Sequence, residues 1–172
     1  MTLPRIFGAL RRDRRGAAAA EMALVLPLLI LILFGSMEMG NYFLNEHVVA
    51  KSVRDGARYA GRLPMTDYPG CLASPGAVTK IKNVTRTGTL AGGMSRLPYW
   101  TDTMGGNPTI TVSVACNTSG TYTGIYSGLA LGAPVVTVAA TVPYPSLFSI
   151  FGLFNSGSFS LNARSQAAVM GI

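Results

Sequence analysis

Glu21 is the only ionisable side chain in residues 17–37, a stretch otherwise made of Ala, Leu, Ile, Val, Met and Phe with Pro27, Gly35 and Ser36. A carboxylate near a hydrocarbon edge costs on the order of 2 to 3 kcal/mol unless a cation meets it, so Glu21 either has a partner or snorkels to the interface. The other chemistry-bearing residues are scattered. His47 is the only histidine and stands on a helical polar face, and Asp67 and Asp102 lie in loops with no second carboxylate beside them in sequence. No nucleophile elbow, phosphate loop or zinc spacing occurs, so no catalysis, metal or cofactor is expected. Cys71 and Cys116 are too few and too far apart for a metal site and form no C-x-x-C pair. In an oxidising compartment they would join the loop after the long helix to the first strand, and the alternative is two separate buried thiols.

These residues must be positioned by a chain whose charge is unevenly placed. The net charge is +7, and residues 1–16 carry Arg5, Arg11, Arg12, Arg14 and Arg15 against Asp13, which is +4 of it. A basic leader before an apolar run keeps that end in the cytoplasm, and the modest remaining charge, without a reader motif, argues against nucleic-acid binding. Residues 17–37 would make about 31 Å of helix, one hydrocarbon thickness. A cleaved signal peptide would need small residues after the apolar run, whereas the chain reads Phe34-Gly35-Ser36-Met37-Glu38. A twin-arginine signal at Arg11-Arg12 or Arg14-Arg15 also lacks that site. A kink is expected at Pro27.

The apolar period continues into a soluble helix over residues 38–62. Tyr42, Val49, Val53, Gly56 and Ala60 share one face, and Lys51, Arg54, Arg58 and Arg62 share the opposite one. Such a basic face is either solvated or touches lipid headgroups or an acidic partner. Residues 63–172 turn to Gly, Pro, Ser and Thr. Ser74-Pro75, then Val78, Ile81 and Val84, with Gly88 beyond, predicts a short capped helix. Residues 88–107 read as a long loop. Three alternating runs predict strands, through Ile110, Val112, Val114 and Cys116, through Val136, Val138, Ala140 and Val142, and through Phe159, Leu161 and Ala163. Residues 144–157, with Phe148, Phe151 and Phe154, are a hydrophobic connection that either closes the core or meets a partner. The expected fold is α+β and pilin-like: a long N-terminal transmembrane and juxtamembrane α-helix packed on a small antiparallel sheet.

The leader ending in Arg15-Gly16, the Gly16-Ala17 junction, Glu21 five residues later, ALVLPLLILILFG and AKSVRDGARYA together resemble the TadE-like family, minor pilins of bacterial tight-adherence (Flp) pilus systems. Met22 departs from the aromatic residue usual after the glutamate. The resemblance implies a prepilin cut after Gly16 by a prepilin peptidase, with Ala17 as the new N-terminus and Glu21 serving assembly. It also implies other minor pilins and Flp assembly proteins as partners, and a single pass through the bacterial inner membrane with a periplasmic C-terminal domain. A signal-anchored periplasmic binding domain that is never processed is the alternative. Chemistry agrees with a cut there, since a small Gly16 lets backbone enter a narrow cleft.

Overall fold

The structure, a computed structural model, describes residues 16–101, 108–118, 120–148 and 159–171. The arginines of the leader, Asp102, Phe151 and Phe154 lie outside the described residues. The chain divides into two compact units, Met1–Gly40 and Asn41–Ile172. Helix α1, Ala17–Arg62, contributes to both, and it runs unbroken through Pro27. Its Ala- and Leu-rich first half consists of strong helix formers, which suits a segment whose backbone must satisfy itself.

In the first unit the apolar side chains face outward. Residues 17–32 are all exposed, Leu24 at 81%. The helix is long and apolar enough to cross a membrane, and none of that apolar window is buried by protein.

The second unit is the α+β body. Helix α2, Pro75–Thr87, begins where the Ser74 side chain accepts from the Ala77 N–H at 3.2 Å, and it ends at Gly88 in the left-handed region, φ 81°. Strands β1, Thr109–Asn117, β2, Ala133–Pro143, and β3, Ser160–Ala168, form an antiparallel sheet in the order β1-β2-β3. Val112 stands opposite Val138 and Val138 opposite Ser165, so the predicted alternation sets one face inward. That face presents Val136, Val138, Ala140, Val142 and Leu161 to the core that Val49, Val53, Ala57 and Ala60 of α1 enter from the other side. The opposite face carries Thr, Ser, Asn and Gln, with Thr141 donating to Asn162 at 2.7 Å and Gln166 to Thr137 at 3.1 Å.

The segment after Gly88 forms no helix or strand among its described residues, as expected, yet it is more than a polar connection. Leu97 and Trp100 are buried in the core cluster, Trp100 at 1% exposure. Short 3-10 turns at Met65–Asp67 and Pro69–Cys71 follow α1, and Gly124–Tyr126 supplies another before β2.

Candidate functional site

The residues singled out in the sequence fall into three places. The first is the start of α1. Gly16 and Ala17 are exposed, and a Cβ built on Gly16 meets nothing within 4 Å among the described residues. Glu21 lies four residues along the helix, about 6 Å in rise, on the same face as Ala17. It is exposed and, among the described residues, has no hydrogen-bond or ion-pair partner. An amine at Ala17 would stand one helical turn from this carboxylate.

The second place is the outer face of α1 in the second unit. Lys51, Arg54, Arg58 and Arg62 are all exposed. The helix is fixed in the core by two close approaches. A Cβ at Gly56 would collide with the Thr85 side chain of α2, and one at Gly61 would stand 2.8 Å from the Ala168 carbonyl oxygen of β3. Glycine costs a helix about 1 kcal/mol relative to alanine, and here it permits contacts that no side chain would allow. Arg96 crosses from the loop after α2 to reach Asp55 Oδ2 at 2.8 Å and Ser52 Oγ at 3.3 Å, while its backbone N–H donates to the Arg86 carbonyl at 2.9 Å. Asp55 is therefore committed to an internal ion pair. Sequence reasoning did not find Arg96; the glycines inside an otherwise regular helix were the visible signal of close packing.

The third place is the far end of the sheet. Cys71 and Cys116 are joined as a disulfide in this structure, with Cα atoms 5.9 Å apart, which ties the turn after α1 to the last residues of β1. Close by, the Tyr68 hydroxyl donates to the Ala60 carbonyl at 2.7 Å and is buried. Burial first, then the neighbouring Asp67 charge and Tyr59, pushes this phenol up to about 12. Tyr99 is likewise pushed up to about 12, by burial and then by Tyr144.

Between α2 and the start of β1 lies a groove of about 550 Å³ whose walls include Thr79, Lys82, Asn83 and Trp100. His47 is exposed on α1, and among the described residues no cluster of three His, Cys, Asp or Glu side chains could hold a metal.

Residues 16–58 match the family described as TadE-like protein. The match begins at the Gly16-Ala17 junction and takes in Glu21, Lys51, Arg54 and Arg58; it covers 43 of the 172 residues and stops before the sheet. It is the family that the motifs at this end of the chain resemble. No curated protein and no solved structure matches the chain.

Proposed function

With residues 16–58 TadE-like, we propose that the chain is a minor pilin-like subunit for assembly of a tight-adherence pilus, matured by a prepilin peptidase that cuts between Gly16 and Ala17. The observation that carries this reading is the coincidence at one helix end of the family match, an exposed Gly16-Ala17 pair and a Glu21 with no partner among the described residues, at the start of an apolar window of which none is buried by protein. In this scheme the arginine-rich leader holds the uncut protein with its N-terminus in the cytoplasm and the sheet-bearing unit in the periplasm. The cut removes the leader's charge, which eases later withdrawal of the helix from the bilayer, and exposes the Ala17 amine. That amine is the cation Glu21 needs, in its own chain or in a neighbour's. Processing then acts as a switch for assembly, since before it no cation exists at that depth. The Cys71–Cys116 disulfide suits a unit exposed to an oxidising compartment.

A second reading, a signal-anchored binding domain that is not processed, draws on the groove between α2 and β1. The intact mass of protein purified from its native membrane separates the two. The proposal expects loss of residues 1–16 in a host with the peptidase, retention in a host without it, and retention when Gly16 is made bulky. A Glu21→Val protein should insert and be cut but fail to co-purify with pilus components. Protein that keeps its leader in the presence of the peptidase refutes the pilin reading, and a cut Glu21→Val protein that still joins the machinery refutes the pairing of Glu21.

A further inference from the structure

Lys51, Arg54, Arg58 and Arg62 are separated by three, four and four residues, which places them in an arc of about 80° and a ridge about 17 Å long. All four are exposed, and none has a carboxylate partner among the described residues. Neighbouring like charges at these spacings oppose helix formation. The one acidic residue on the adjoining part of the helix, Asp55, is held by Arg96 at 2.8 Å and does not neutralise the ridge. Gly56 sits against Thr85 on the opposite side and Gly61 against Ala168 at the edge beside Arg54, so α1 cannot roll the cations inward without breaking its core contacts. The ridge is fixed, uniform in sign and open.

We propose that this ridge docks an acidic helix of a different protein subunit, with carboxylates repeating at the same three- and four-residue spacing. Three occupants present themselves, and two fit poorly. A lipid surface would require the helix to lie in the bilayer interface on an apolar face, but between Leu44 and Leu72 the chain exposes no large apolar side chain. A second copy of this chain would need a row of carboxylates. Its described carboxylates from Asn41 onward are Glu46, Asp55 and Asp67, of which Glu46 and Asp55 point to opposite sides of α1 and Asp67 lies beyond it in a turn. Against its own ridge a copy would meet like charge. A foreign acidic helix avoids both difficulties, and rows of unlike sign at matched spacing give register as well as attraction.

The test uses the full-length protein in nanodiscs of zwitterionic lipid and two synthetic helical peptides of identical composition. One has glutamates at positions 1, 4, 8 and 12, matching the ridge. The other has the same glutamates spread around the helix. The registered peptide should bind at least tenfold tighter than the rearranged one and weaken as salt is raised. The combined Lys51→Gln, Arg54→Gln, Arg58→Gln and Arg62→Gln protein should lose at least tenfold in affinity, with the buried Trp100 emission unchanged as proof of folding. Equal binding of the two peptides, or none by either, overturns the proposal. So does occlusion of the ridge by nanodiscs of anionic lipid, which would assign it to the membrane, or self-association that the glutamine substitutions abolish, which would assign it to a second copy. None of these outcomes depends on leader cleavage, so the ridge and the pilin reading stand or fall separately.

Discussion

Gly56→Ala should unsettle the body of the protein although alanine is the better helix former. The added Cβ would overlap the Thr85 hydroxyl and stand 3.2 Å from Thr85 Cβ, and Thr85 is fully buried with its hydroxyl donating to the Ile81 carbonyl at 2.8 Å. Overpacking of this kind costs about 1 to 3 kcal/mol, and the gain in helix propensity returns up to about 1. A net loss of about 1 to 2 kcal/mol is expected, roughly 4 to 8 °C in Tm for a unit of this size. The measurement is thermal or urea unfolding of the full-length protein in detergent, followed through Trp100, the single tryptophan and a fully buried one. Thr85→Ala removes the atom that collides, so the double variant should be at least about 1 kcal/mol more stable than the sum of the two single effects. A Gly56→Ala protein as stable as wild type, or two single effects that simply add, refutes the claim that this contact fixes the roll of α1. Such a result would also free the basic ridge to turn with the helix.

Replacing Cys71 and Cys116 together with alanine should cost about 4 kcal/mol on chain-entropy arithmetic for a separation of 45 residues, and thiols alkylated in unreduced protein would contradict the bond. Tyr68 titrates near 12 in the folded protein against an ordinary value of 10, so its contribution to stability is fully present below pH 10 and is lost as pH rises toward 12. Tyr68→Phe should therefore cost about 1 kcal/mol at neutral pH through the lost bond to Ala60 and roughly halve the alkaline fall in stability, Tyr99 supplying the rest. An alkaline fall unchanged by Tyr68→Phe counts against it.

Features governed by near neighbours in the chain are legible in the sequence alone. Ser74, Pro75 and Gly88 announce both ends of α2 because capping is a matter of a few residues. The alternating runs announce all three strands, although β3 continues to Ala168, past the residues whose alternation is apolar. Long-range contacts are not legible in this way. Nothing near Arg96 in sequence points to Asp55, and the loop that holds Leu97 and Trp100 has the Gly-rich look of a solvated connection, although two of its side chains enter the core. Of the site, the exposed residues Gly16, Glu21, Lys51, Arg54, Arg58 and Arg62 are identifiable because their types are out of place or periodic, whereas what holds the four basic residues in position depends on Gly56, Gly61, Thr85 and Ala168 meeting across elements.

The contact of Gly61 with β3 also bears on how the protein is delivered. The Met170 N–H donates to the Gly61 carbonyl at 2.8 Å, and Ala168 closes against the same glycine, so the end of α1 is completed by residues roughly a hundred positions later. A chain threaded N-terminus first has its membrane segment and the whole of α1 in place while β3 is still to come. Throughout that interval the Val49, Val53, Ala57 and Ala60 stripe lacks one of the strands that cover it, and the partly built body is a target for proteases and for aggregation. Arrival of the last strand thus serves as a proofreading step: only a polypeptide complete through Met170 can seal the end of the helix.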